Sequence, residues 1–371
     1  MLPLIRPDVT FDEVADDLRV ILDSGILTSG SYVAALESAL AEVLGVAHVV
    51  STTSATTALH LSLAAAGVQA GDEVLVSDFT FPASGNVIVQ LGAVPVLIDS
   101  QRDSFTLDVE VAAAKVTSRT RVIMPVDPFG EPADLGAVAA LAEAHGLAVV
   151  EDAACALGSS RDGVACGARA GATCFSFHPR KVVTTGEGGA VTTDDPIMAE
   201  RLRTLRNHGG VRAEVGLTFV DNGFNYRMGE IPAALGLAQL RRLASIIDDR
   251  RRTAERYNTL LAPVAEVELR LPGPTEQWSY QSYVVMLEDA VDRDGVVAAL
   301  RGAGIETTLG TYAMHAHPAF SRFGYTPGDL PHSWKAQRQS LTLPLVPRMA
   351  SADVDRVVDE LVGAIGIQSH G

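Results

Sequence analysis

Short apolar runs alternate with stretches of helical periodicity through most of the chain. Helices are predicted over 10–25 and 31–43; the second repeats Tyr32, Leu36, Leu40 and Val43 on one face and stops at Gly45. Val46–Val50 then reads as a strand, and Ser51 opens a polar segment. Thr52-Thr53-Ser54-Ala55-Thr56-Thr57 leads into a helix carrying Ala58, Leu59, Leu61 and Leu63. Strands follow at Glu73–Val76, Val94–Ile98, Arg121–Val126 and Leu147–Val150, with helices at 83–91 and 134–145 between them. This alternation predicts an α/β fold built on a mostly parallel sheet, with ligands at the carboxyl ends of its strands. Thr56, Phe81, Asp127 and Asp152 all lie shortly past such ends, so they are read as one site. Residues 229–262 read as a helical connection to a second unit. That unit has a strand at Tyr283–Leu287 and helices at 292–302 and 352–365. The expected division is a large domain over 1–249, N-terminal segment included, and a smaller C-terminal α/β domain over 250–371.

Size and composition narrow the function. A chain of 371 residues with 47% hydrophobic content can bury two cores. A net charge of -16 with no basic block excludes a nucleic-acid surface. It also opposes docking on anionic membranes, but a local cationic cluster can still take an anionic small substrate. No segment has the length and apolarity of a membrane span. The start, Met1 to Asp8, is broken by Pro3, Arg6 and Pro7 and is unlike a signal peptide. Cys155, Cys166 and Cys174 form neither a disulfide framework nor the paired short loops of a zinc site. The expectation is a cytoplasmic protein without a metal.

The chemistry concentrates in two places. An apolar run ends in Glu151-Asp152-Ala153-Ala154, which puts a carboxylate at a strand end. Lys181 stands in the loop Cys174-Phe175-Ser176-Phe177-His178-Pro179-Arg180-Lys181, followed by Gly186-Glu187-Gly188-Gly189. A lysine and a buried carboxylate suit an aldehyde cofactor with a basic ring nitrogen, which is pyridoxal 5′-phosphate (PLP). Lys181 would hold it as a Schiff base, and Asp152 would keep the ring nitrogen protonated. The polar turn before Ala58 is a helix start, where the N–H groups of Ala55 and Thr56 and the Thr56 hydroxyl could receive a phosphate. The glycine run after Lys181 does not open a strand–helix unit and is not a nucleotide loop. Neither a Gly-x-Ser-x-Gly elbow nor a His-Glu-x-x-His helix is present.

An ordered set of short segments carries a resemblance. It runs from Ser24-Gly25 and Thr28-Ser29-Gly30 through Ser54-Ala55-Thr56, Gly71-Asp72-Glu73-Val74 and Phe79-Thr80-Phe81. It continues through Glu151 to Ala154, Phe175 to Gly189, Gly223-Phe224-Asn225-Tyr226-Arg227-Met228 and Gly304-Ile305-Glu306. The chain resembles the DegT/DnrJ/EryC1/StrS family, PLP-dependent aminotransferases acting mainly on keto sugars attached to nucleotides. The resemblance implies an aminotransferase fold of type I and a homodimer with shared active sites. It makes Ser176 a phosphate ligand and Phe81 the residue stacked on the cofactor ring. Asn225 would reach the phosphate of the neighbouring subunit's cofactor, and Arg227 a carboxylate or phosphate of substrate. His178 would line the site, and Tyr312 and His315 fall in the substrate region. Lysine at 181 argues against the family's dehydratases, which carry histidine there. The implied reaction moves an amino group from an L-amino acid, glutamate or glutamine, to a keto or aldehyde carbon of a nucleotide-linked sugar. A carbocyclic keto-polyol acceptor and a non-catalytic regulatory protein are the alternatives. Cys155 and Asp127 depart from the family pattern, as does Gly310-Thr311-Tyr312-Ala313-Met314-His315.

Overall fold

The computed structural model describes residues 1–368; residues 369–371, the end of the expected C-terminal unit, lie outside the described residues. Seven strands form the main sheet: β1 (His48–Thr52), β2 (Glu73–Ser77), β3 (Val94–Ile98), β4 (Thr120–Met124), β5 (Ala148–Asp152), β6 (Ala172–Ser176) and β7 (Gly189–Thr193). Their order is β1-β7-β6-β5-β4-β2-β3. Only β7 runs against its neighbours; the other contacts are parallel. Helices cover the sheet, so the strands are buried on both faces and read as apolar runs without alternation. Asp152 stands beside Cys174, and Ser176 beside Gly189. Asp152 and Ser176 therefore close adjacent parallel strands at the same edge.

Several boundaries differ from the pattern-based expectation. The first helix begins at Ala15, not at residue 10. β1 runs on through Ser51 and Thr52, because their polar groups are satisfied inside the fold. Ser51 donates to Glu37 Oε1 from its N–H at 2.8 Å and its hydroxyl at 2.7 Å, and Thr52 donates to the Ser54 carbonyl at 2.9 Å. β6 and β7 are rich in small and polar residues and lack the apolar runs that mark the other strands. The helical stretch 229–262 is two helices, Glu230–Leu240 and Leu243–Leu261. They part at Arg242, whose guanidinium is drawn off to Asp8 at 2.6 Å and Glu13 at 2.8 Å.

A second sheet, β8 (Val267–Leu269), β9 (Tyr283–Leu287) and β10 (Ser340–Leu343), is antiparallel in that order. The helix Leu243–Leu261 spans the two cores. Leu243, Ile246 and Ile247 pack under the main sheet, and Ala254, Tyr257 and Leu261 under the second. One strand pairing joins these layers, and a second bridge ties the N-terminal segment to the second core. Phe79–Thr80 pairs with Tyr312–Ala313, and Leu2 bridges Ile305. Among the described residues no helix is long and apolar enough to cross a membrane.

Candidate active site

A cavity of about 570 Å³ opens where β5 and β6 end and the helix Ala55–Ala65 begins. Ala55, Thr56, Phe81, Asp152, Ser176, His178, Lys181 and Tyr312 all border it. Residues far apart in the chain thus converge on one space, as their common position past strand ends predicts.

Asp152 forms its inner wall. Its Oδ2 accepts a 2.7 Å hydrogen bond from Ser84, and Oδ1 accepts one from the Ala154 N–H at 3.2 Å. Burial raises the pKa of this carboxyl; the Ser84 and Ala154 hydrogen bonds and the positive charge of Lys181 pull it partway back. A cation brought against it would favour the ionised form further.

Lys181 lies on a tightly held loop. Its N–H donates to the His178 carbonyl at 2.8 Å, closing a turn just past β6. Thr184 donates from its hydroxyl to the Phe177 carbonyl at 2.9 Å, and Gln239 grips Thr184 through its N–H at 3.1 Å and its carbonyl at 2.6 Å. The Lys181 amine donates to Cys155 Sγ at 2.9 Å. Cys155 thus faces the amine directly.

The opposite end is a donor-lined helix head. Ser54 and Thr57 form a reciprocal cap, with Thr57 N–H on Ser54 Oγ at 3.1 Å and Ser54 N–H on Thr57 Oγ1 at 3.0 Å. The N–H groups of Ala55 and Thr56, inside that cap, head the helix toward the cavity wall. Ser176 Oγ accepts the His178 N–H at 3.4 Å and keeps its own proton to give. Gly189 packs against this head; a Cβ there would lie 2.5 Å from the Ser54 carbonyl carbon and 2.7 Å from the Ala55 nitrogen. One amine, one buried carboxylate and one anion-receiving end around a single cavity match the aldehyde, ring nitrogen and phosphate of PLP. The donor set fits that cofactor, which supplies an electron sink and a carrier for the amino group.

Phe81 is 66% exposed, with one edge against Tyr312 at 6.3 Å between ring centroids. Tyr312 reaches this position because it pairs with Thr80. Asp127 also borders the cavity, with Oδ1 accepting the Ala133 N–H at 2.9 Å. Burial, and then the neighbouring Glu151 carboxylate, push the Asp127 carboxyl well above its ordinary range.

His315 and Arg227, expected in the substrate region, do not border this chain's cavity, and neither does Asn225, expected at the neighbouring subunit's cofactor. His315 is fully buried, with Nδ1 2.6 Å from Asp78 Oδ2 and its N–H on Asp78 Oδ1 at 2.8 Å. Asp78 is itself buried just past β2, and its two hydrogen bonds to His315 hold the histidine out of the substrate region. Asn225 is exposed and bridges Asn207, while Arg227 donates to Asn207 Oδ1 at 2.7 Å. Neither borders this chain's own cavity. Sequence reasoning missed Ser84, Arg250 and Gln281, which do bind or border the site. Ser84 was within reach, since it stands in the first turn of the helix that follows Phe81-Pro82. Arg250 and Gln281 carry no local signal.

The profile of the DegT/DnrJ/EryC1/StrS aminotransferase family matches residues 10–362. Among solved structures, DesV from S. venezuelae is 33% identical with a TM-score of 0.91, covering 98% of each chain. Spr1654 from Streptococcus pneumoniae, solved in its PLP form, is 29% identical with a TM-score of 0.93 and covers 99% of each chain. The sugar aminotransferase CalS13 from Micromonospora echinospora is 28% identical with a TM-score of 0.91, covering 98% of this chain and 100% of its own. Likeness of this extent, over a cavity whose groups suit PLP, has one reading: the chain belongs to the DegT/DnrJ/EryC1/StrS aminotransferase family and is a PLP-dependent aminotransferase.

Proposed function

We propose that this aminotransferase takes an amino group from an L-amino acid, glutamate or glutamine, and gives it to a keto or aldehyde carbon of a nucleotide-linked sugar. The observation that supports it most is the joint placement of Lys181, Asp152 and the Ala55–Thr56 helix head around one cavity. Likeness to CalS13, described as a sugar aminotransferase, supports the sugar class of acceptor.

In this reading each residue has one task. Lys181 would hold the cofactor through its amine, and that amine is the group placed to move a proton at the substrate carbon. Asp152, braced by Ser84, holds the proton on the ring nitrogen. Thr56, Ser176 and the Ala55 and Thr56 N–H groups receive the phosphate. Phe81, on the cavity wall, would cover one face of the ring. His178 and Tyr312 line the substrate side. Asn225 and Arg227, outside this chain's cavity, serve the site of a second copy in a homodimer. The working division of the chain is 1–249 and 250–371, with the cleft between them holding the substrates. The test is amino transfer from L-glutamate or L-glutamine to a nucleotide-linked keto sugar, followed by mass spectrometry of the product. Transfer to a carbocyclic ketone in preference to every such sugar would replace the acceptor class.

A further inference from the structure

Two buried carboxylate oxygens near the active site stand bare. Asp127 Oδ2 and Glu151 Oε1 are fully enclosed and have no hydrogen-bond partner among the described residues. The other oxygen of each acid is held. Asp127 Oδ1 accepts the Ala133 N–H at 2.9 Å, and Glu151 Oε2 accepts the Thr173 hydroxyl at 2.6 Å. Each carboxylate is thus anchored on one side and open on the other. A bare carboxylate oxygen in the interior costs free energy until a proton or a cation meets it.

A third donor distinguishes the two. Cys166 is a free, buried cysteine. Its sulfur, one Asp127 oxygen and one Glu151 oxygen all lie within 4.8 Å of one another. Burial, and then the charges of Asp127 and Glu151, push the Cys166 thiol well above its ordinary range. Protons could join these groups only two at a time. A divalent cation meets all three donors at once and offsets their charge. A thiolate with two carboxylates suits zinc, whereas magnesium and calcium take oxygen donors. Hydrogen bonds on the far oxygens, here from Ala133 and Thr173, are the outer support that metal-bound carboxylates receive.

The three donors come from separate segments. Asp127 follows β4, Glu151 stands in β5 one residue before Asp152, and Cys166 lies ahead of β6. The Asp127 N–H donates to the Asp152 carbonyl at 3.0 Å, and the Cys166 N–H to the Ser159 carbonyl at 2.9 Å. An ion here would fasten the loop after β4 and the stretch before β6 to the strand that carries Asp152. Cysteine spacing cannot reveal such a site, because only one cysteine takes part.

We propose that Asp127, Glu151 and Cys166 bind a structural zinc ion beside the strand that presents Asp152. The chain is produced in zinc-supplemented medium without a polyhistidine tag, loaded with PLP and freed of loosely held metal by gel filtration. Elemental analysis should give one zinc per chain. Zinc K-edge absorption should show one sulfur neighbour at about 2.3 Å beside oxygen neighbours at about 2.1 Å. Cys166→Ser should lose the sulfur neighbour. Asp127→Asn should weaken zinc by at least about 100-fold in competition with a chromophoric chelator. Cys155→Ser should keep both signals, which separates this site from the thiol beside Lys181. Thr173→Val leaves the three donors in place but strips the support from Glu151 Oε2, and should weaken zinc by about 10-fold.

A wild-type chain that holds no zinc would mean that the acids share protons instead, and would overturn the proposal. So would a sulfur neighbour that survives in Cys166→Ser or disappears in Cys155→Ser. If Cys166→Ser and Asp127→Asn do not fold, Thr173→Val carries the test, and unchanged zinc affinity in that variant counts against the proposal.

Discussion

Ser84 donates a 2.7 Å hydrogen bond to Asp152, across the gap between the helix Ala83–Gln90 and the end of β5. The same short stretch supplies Phe81, so one piece of chain both lines the cavity and braces the carboxylate behind it. Asp152→Ala should therefore spare cofactor binding, which the phosphate end sustains. It should cut turnover by at least about 100-fold, or roughly 2.7 kcal/mol in the barrier. Ser84→Ala should cost less, about 10-fold, since the Ala154 N–H still holds the carboxylate. Steady-state rates and the cofactor content of the purified variants check both. Normal turnover in Asp152→Ala would remove the aspartate from the ring nitrogen.

Lys181 should be the single point of covalent attachment. Borohydride reduction of the PLP-loaded protein and peptide mapping should place the adduct there, and Lys181→Ala should show none. Cys155→Ala should still give the adduct, because the 2.9 Å contact from Lys181 orients the amine but does not hold the phosphate. An adduct on another lysine would redirect the whole assignment.

Asn225 offers a test of sharing between subunits. Lys181→Ala and Asn225→Asp should each be weakly active alone, the second because it sets a carboxylate against the phosphate. In a mixed dimer with shared sites, one site carries both defects and the other carries neither. Random exchange should then restore about a quarter of wild-type activity. Native mass spectrometry confirms that exchange took place. Confirmed heterodimers without recovery would confine Asn225 to its own subunit.

Glu131 sets a pH dependence away from the reaction. Burial, opposed by hydrogen bonds from Ser104 and the Phe105 N–H, raises its pKa from the ordinary 4.5 to about 7. Between those values the folded chain binds more protons than the unfolded one, so its stability falls as pH rises. The contribution is complete below about 4.5 and gone by about 7, up to roughly 3 kcal/mol. Urea unfolding of wild type and Glu131→Gln across this range should differ by a slope present only in wild type. Parallel curves would mean that the carboxyl titrates normally.

What could be read from the sequence follows from how local each signal is. Asp152 was legible because a hydrophobic strand ends on it, and Ala55–Thr56 because a polar cap precedes a helix. Lys181 was legible through the small-residue loop around it. β6 and β7 were not, since Thr173, Thr192 and Thr193 satisfy their hydroxyls through tertiary bonds that periodicity cannot register. One example is the 2.6 Å bond from Thr173 to Glu151. His315 was misplaced for a related reason: its partner, Asp78, is 237 residues away. Arg250 reads as one charge among many on an amphipathic helix, and only the carbonyls of Tyr280 and Gln281 turn it inward.

The meeting of the first residues with the stretch around Ile305 has a consequence for the order of assembly. Leu2 exchanges hydrogen bonds with Gly304 and Glu306, and the Leu4 N–H reaches Glu306 Oε2 across 302 residues. Leu4, Ile5 and Arg6 then form part of the cavity wall. On the ribosome these residues emerge long before the partner they need. The main sheet can collapse in the meantime, since domains fold as units during synthesis. The cavity is therefore closed only after residues 304–306 have been made, and a nascent chain halted before residue 304 would present the main sheet with one wall of the cavity still missing.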